Sequence, residues 1–229
     1  MMDPRKLFHD NRLLDVCVYC GQKSSTRDHV PSRVLLDEPF PNNLPVVAAC
    51  ERCNLSFSLD EQYLACIVEC AVTGTTRAED IRREKVRRIL AERPAIAARI
   101  VAARVANDDG ALAWQVETTR VRDIVLKLAR GHVAYQFAEA TLADPVHVAI
   151  LPFPLMSPAE RIDFEHPPSS TSWPEVGSRA FVQAVTRPTL DSIWTVVQPD
   201  RYRYALTQRQ NISVRIVLSE YLGCEVIWN

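Results

Sequence analysis

Cys17, Cys20, Cys50 and Cys53 stand in the chain as C-V-Y-C, 29 intervening residues, then C-E-R-C. Each pair can turn tightly enough to bring two thiolates onto one ion, and two such knuckles complete the closed tetrahedral sulfur site that structural Zn²⁺ prefers. Four soft ligands with no open coordination position describe a structural ion rather than a catalytic one. A redox dithiol is the competing interpretation of a single pair. Two pairs, with Gly21 directly after the first as knuckles often require, favour zinc. The chain holds seven cysteines, an odd number that suits metal binding better than a disulfide framework. Cys66, Cys70 and Cys224 are left over and are expected as buried small hydrophobes.

The segment between the pairs carries the chemistry. Thr26 to Ser32 reads T-R-D-H-V-P-S, and Asn54 directly follows the last cysteine of the second pair. Asp28 and Asn54 each offer a hard oxygen to a divalent ion, and His29 is a base whose unperturbed pKa lies near ~6.5. Neighbours on a strand point to opposite faces, so Asp28 and His29 serve one bound phosphate only where the backbone is irregular, as Pro31 suggests. Because Asn54 is attached to a knuckle, the structural ion would hold one ligand of the second ion in place.

These residues together resemble the HNH endonucleases of the ββα-metal group, in the zinc-stapled branch that includes phage-type Holliday-junction resolvases. The likeness is carried by Cys17-x-x-Cys20, Asp28-His29-Val30 with a proline following, Asn43-Leu44 and Cys50-x-x-Cys53-Asn54, and it spans residues 15 to 64. It implies a β-hairpin and a helix around one divalent ion. Carried over by position, His29 is the general base, Asp28 and Asn54 hold a catalytic Mg²⁺ or Mn²⁺, and Asn43 orients His29. A narrower likeness, to uncharacterised bacterial HNH proteins, rests on D-H-V-P-S, N-L-P-V-V-A-A-C-E-R-C-N and S-L-D-E-Q-Y-L, with a fainter echo at Lys127-Leu-Ala-Arg-Gly131. The implied activity is metal-dependent hydrolysis of DNA, with RNA second, to 5′-phosphate and 3′-hydroxyl ends. Arg27, Arg33 and Arg52 are candidates to hold the flanking phosphates. Two features depart from the pattern. The gap from Asn43 to Cys50 is long and Asn42 is an equal candidate, while L-S-F-S-L-D-E after Asn54 brings Asp60 and Glu61 toward the phosphate path. The alternative is therefore a catalytically inactive zinc-stapled module that binds nucleic acid or protein.

Composition sets the frame for the rest. With 47% hydrophobic and 24% charged residues over 229 positions, the chain is that of an ordinary globular protein. Net charge is −1, which excludes a strongly basic nucleic-acid coat or a polybasic membrane anchor. The average hides blocks: residues 1 to 70 carry 7 basic and 10 acidic groups, residues 71 to 110 carry 9 and 6, and the remainder 11 and 12. Arg77 to Arg104 is the most basic stretch, with helical spacing of Ile81, Val86, Ile89 and Leu90 and expected i,i+4 pairs Glu79 with Arg83 and Glu84 with Arg88. It is either a solvated helix face or a phosphate contact. Met1 to Arg12 lacks the apolar stretch of a signal peptide, and no segment approaches the roughly 20 apolar residues of a bilayer helix. A cytoplasmic location and no membrane partner are expected.

The expected fold class is α+β: an N-terminal zinc-stapled ββα-metal module over residues 1–75, then a helical segment and an antiparallel strand-rich region over 76–229. One helix is expected from about Leu59 with Ser58 as its N-cap, and a second over Val121 to Ala140. Period-two patterning predicts strands at His147–Leu151, Ala180–Thr186, Ser192–Val197, Arg201–Leu206, Ser213–Leu218 and Glu225–Trp228, with Phe164 to Pro174 a loop. In Asp200 to Leu206, Arg201 and Arg203 would share one strand face and Tyr202 and Tyr204 the other, as a basic ridge backed by aromatics or as core tyrosines beside solvated arginines. His132 is expected as a satisfied structural histidine.

Overall fold

The computed structural model describes residues 13–106, 112–186 and 193–229. The expectations for Met1 to Arg12, His9 among them, and for Ser192 lie outside these residues. The Val16↔Lys23 bridge closes the first knuckle. Strands β1 (Thr26–His29) and β2 (Val46–Ala49) then pair antiparallel, with Asp28 opposite Val47 and His29 opposite Val46. Helix α1 (Glu51–Thr73) follows at once. Helices α2 (Glu84–Glu92) and α3 (Pro94–Ala103), a short pair β3 (Arg104–Ala106) and β4 (Leu112–Trp114), and α4 (Thr118–Phe137) complete the helical middle.

The C-terminal part holds β5 (His147–Pro152), α5 (Pro158–Glu165), α6 (Arg179–Thr186), β6 (Trp194–Gln198), β7 (Tyr202–Gln208), β8 (Ile212–Leu218) and β9 (Leu222–Trp228). The five strands form one sheet in the order β5-β9-β8-β7-β6, every neighbour antiparallel. Architecture is thus α+β, and five of the six strands expected from alternation are present.

Four expectations are corrected. Helix α1 begins at Glu51, about two turns before Leu59, because the Cys50 sulfur accepts the Cys53 N–H and caps it. Leu55 and Leu59 remain 67% and 53% exposed, so apolar spacing there did not report the buried face. Ala180–Thr186 is helix α6, not a strand. Ser178 Oγ accepts the Phe181 N–H and opens the helix, and an almost wholly apolar run of this length does not separate the two periods. The stretch Arg77 to Arg104 is two helices broken at Arg93-Pro94, preceded by a 3₁₀ turn. That turn removes the helical spacing between Glu79 and Arg83, so Arg83 turns inward to Asp37; inside α2 Glu84 pairs with Arg87 at i,i+3 in place of the expected Arg88.

The basic ridge is the fourth. Tyr202 and Tyr204 are fully buried, Arg201 pairs with Asp37 at 2.5 Å, and Arg203 pairs with Glu165 and Glu220 at 2.8 and 2.7 Å. Both arginines are neutralised within the fold. His132 donates to or accepts from Tyr202 Oη at 2.7 Å and stacks on Tyr204. Burial, with Lys127 adding to it, pushes its pKa down to about 3, and Nδ1 is buried without a described hydrogen-bond partner, so the ring is structural but satisfied at Nε2 only. Cys66, Cys70 and Cys224 are buried, as expected.

Helix α4 lies between α1 and β2 on one side and β8 and β9 on the other, and buried side chains from the knuckles, the helices and the sheet join in one core cluster. Gly131 makes the first contact close: a Cβ there would sit 2.5 Å from Val30 Cγ2. Asp37 makes a second tie. Its carboxylate receives Arg83 at 2.6 Å and Arg201 at 2.5 Å, and its backbone exchanges two hydrogen bonds with the Gln198 amide. The sheet is thereby fastened to the loop that follows His29.

Candidate metal centre and its neighbours

Local chain geometry assembles the four thiols. Gly21 takes φ +73, a left-handed value that glycine adopts without strain, and its N–H donates to Cys17 O at 2.8 Å. Cys17 N–H donates to Gln22 O at 2.7 Å, which turns the first pair into a knuckle. The second pair occupies the N-cap and first turn of α1. All four sulfurs lie within 4.8 Å of one another, and Cys20 Sγ and Cys50 Sγ are 3.7 Å apart. A tetrahedron with Zn–S bonds of about 2.3 Å has edges of about 3.8 Å. The Cys53 N–H, donating to Cys50 Sγ, lowers that thiol to about 7, whereas burial pushes Cys53 up. The cluster can hold a metal ion such as zinc.

Asp28 is 8% exposed, and its surroundings are polar. Tyr19 Oη donates to Asp28 Oδ2 at 2.7 Å, and the ammonium of Lys127 reaches the same oxygen at 2.7 Å. Lys127, itself buried, also donates to Glu61 Oε1 at 2.5 Å and to Ser32 Oγ at 2.7 Å, and Ser32 donates to Glu61. Burial, and then the Asp28 charge, push the Tyr19 phenol well up, so it stays a donor. Both donors to Asp28 land on Oδ2. No described donor reaches Oδ1.

Asn54 is held in the same manner. Its amide Nδ2 donates to Thr26 Oγ1 at 3.3 Å and to Arg27 O at 3.4 Å. The single hydroxyl proton of Thr26 goes to Ala49 O, so the Thr26 oxygen accepts and the amide nitrogen is the atom that faces β1. Asn54 Oδ1 is left without a described partner. Thr26 and Asp28 alternate with Arg27, which puts them on one strand face, with Asn54 tied to it at Thr26.

His29 lies on the other face, half-buried. Arg33 donates to its Nε2 at 3.1 Å, and because a guanidinium only donates, the ring is neutral with its proton on Nδ1. Burial first, then Arg33, hold its pKa below the usual histidine value. Asn43 is exposed in the turn before Leu44 and makes no hydrogen bond with His29. Strand β1 pairs regularly with β2 through His29, so the irregular backbone expected from Pro31 is absent there and Asp28 and His29 point to opposite faces. Asn54 is tied to β1 at Thr26 and the Arg27 carbonyl. Arg27 and Arg52 are exposed, with no described carboxylate pairing either, and Arg33 is exposed apart from its contact with His29.

Sequence reasoning missed Tyr19 and Lys127, which hold Asp28, and Ser32 and Glu61, which hold Lys127. One signal was present: Lys127 lies three residues after Ile124 and four before Gly131, inside the apolar stripe of α4. A charge in such a stripe needs a buried partner. No family model, no curated protein and no solved structure matches the chain.

Proposed function

We propose that the chain is a metal-dependent endonuclease of the HNH type, hydrolysing phosphodiester bonds of DNA. One observation carries this: Asp28 on β1, and Asn54 held to β1 at Thr26 and the Arg27 carbonyl, each commit one end of the side chain to the protein and leave Oδ1 without a described partner, while a neutral His29 follows on the opposite strand face. Two hard oxygens with room for waters and a phosphate oxygen fit Mg²⁺ or Mn²⁺. Such an ion would supply Lewis-acid stabilisation of charge on the phosphate and the leaving 3′-oxygen. The protein's own residues do the rest. Tyr19 and Lys127 fix the Asp28 carboxylate, Thr26 and the Arg27 carbonyl fix the Asn54 amide, and His29 Nε2 takes the proton of the attacking water once Arg33 turns from the imidazole to a phosphate oxygen. Products would carry 5′-phosphate and 3′-hydroxyl ends.

A zinc-stapled binding module without catalysis is the second reading, and the Arg33 contact that occupies His29 Nε2 favours it. Nicking of supercoiled plasmid with Mg²⁺ or Mn²⁺ separates the two. The wild type is expected to nick and His29→Ala to lose roughly 10²- to 10⁴-fold. Equal rates, or no cleavage by the wild type of duplex, branched or single-stranded DNA, would sink the enzyme.

A further inference from the structure

We propose that the groove between α1 and α2 is the track along which a nucleic-acid strand leaves His29, with Arg33, Lys85, Arg88 and Arg93 taking its phosphates. The assignment rests on the endonuclease reading and adds to it where the substrate lies. The groove has a volume of about 270 Å³, and its lining includes Ser58, Gln62, Lys85, Arg88 and Arg93. Along α2, Lys85, Arg88, Ile89 and Glu92 recur at helical spacing, so one face of the helix forms the wall.

Contacts run from this wall to the candidate site without a gap. Lys85 Nζ donates to Arg33 O at 3.1 Å, and the Arg33 guanidinium donates to His29. Lys85 and Arg33 both stand over the Phe40 ring, at 4.3 and 5.4 Å from its centre, two cations on one half-buried aromatic of the kind that supports a base or sugar between phosphate contacts. On the α1 side the floor includes Glu61, whose carboxylate pairs with Lys127, an ammonium it shares with Asp28.

Charge favours this groove over the other: Lys85, Arg88 and Arg93 line it against Glu61 and Glu92, whereas the other has Arg120 against Asp60, Glu117 and Asp123. No described carboxylate pairs with Arg88 or Arg93, whereas Arg83 and Arg87 are satisfied by Asp37 and Glu84. The larger groove, about 420 Å³, is lined by Asp60, Glu117 and Asp123 with Arg120 already paired to the first two, and it would repel a polyanion.

The test is fluorescence anisotropy of a labelled DNA duplex with the full chain, over a salt series, without added Mg²⁺ or Mn²⁺ so that the strand stays intact. Arg88→Ala/Arg93→Ala is expected to bind about tenfold or more weakly and to flatten the salt dependence by about two counterions. The exposed Arg122→Ala on α4 should bind like the wild type. Wild-type affinity and slope in the double variant, equal loss in Arg122→Ala, no wild-type binding, or displacement by poly-glutamate as readily as by unlabelled DNA would each overturn the track. Cleavage by the wild type with Mg²⁺ or Mn²⁺ separates the two proposals. Wild-type binding along the groove with no wild-type cleavage refutes only hydrolysis, and cleavage unaffected by Arg88→Ala/Arg93→Ala refutes only the track.

Discussion

Lys127→Met tests the buried network directly. The ammonium lies 2.7 Å from Asp28 Oδ2, 2.5 Å from Glu61 Oε1 and 2.7 Å from Ser32 Oγ. The Lys127 side chain is 1% exposed, and those of Asp28 and Glu61 are 10% and 14%. Methionine keeps most of the volume, so the variant opens little cavity, and its cost is that of two nearly dry carboxylates losing their cation. Breaking a buried pair by removing one partner costs about 3–5 kcal/mol, a large share of the roughly 5–15 kcal/mol that holds a domain together. With a urea m-value of about 3 kcal/mol/M for a chain this long, the unfolding midpoint should fall by about 1 to 2 M. Adding Glu61→Gln to Lys127→Met removes one of the stranded charges and should recover part of the loss, with a coupling of about 1–3 kcal/mol. A Lys127→Met loss below about 1 kcal/mol, or strict additivity with Glu61→Gln, would refute the view that this ammonium is the counter-charge of the site.

Gly131→Ala normally favours a helix by about 1 kcal/mol. Here the new Cβ would meet Val30 Cγ2 at 2.5 Å and Cγ1 at 2.9 Å, so thermal unfolding should show a loss of about 1–3 kcal/mol, and Val30→Ala should relieve part of it. His132 titrates at about 3 when folded and near ~6.5 when unfolded. Its contribution is complete above pH ~6.5 and is lost as pH falls toward about 3, at up to ~1.4 kcal/mol per pH unit. Between pH 6 and 5, where few carboxylates titrate, His132→Gln should lose that slope in urea titrations. Metal analysis of protein purified without chelator should find one zinc per chain. Structural zinc contributes about 10–16 kcal/mol in small modules, so chelation or Cys50→Ser should remove the ion together with helical ellipticity from α1. A content well below one per chain would refute the four-thiol site.

Local patterns were legible where the physics is local. The strands β5, β7, β8 and β9 follow from alternation, because a half-buried strand repeats every two residues, and α4 follows from its apolar stripe. Helix α5 was readable as well: Ser157-Pro-Ala-Glu160 is a capping box, and both of its reciprocal hydrogen bonds form. Helix α6 was not, since its run of mixed apolar residues suits either period.

The sequence by itself determined the four-thiol cluster, because two Cys-x-x-Cys knuckles have one economical arrangement around one ion. It also implied that neighbours Asp28 and His29 point to opposite faces of any strand they share, but it did not place the start of α1 at the second cysteine pair, since apolar spacing pointed to Leu59. Only the tertiary structure decided what each of them faces. That Asp28 meets Lys127, 99 positions along the chain, and that Asp37 binds the sheet through Arg201 are outcomes of packing α4 and the sheet against the hairpin. Periodicity reports that a side chain is buried; it does not report its partner, because ion pairs and hydrogen bonds between distant segments are chosen by the three-dimensional fit of the elements that carry them.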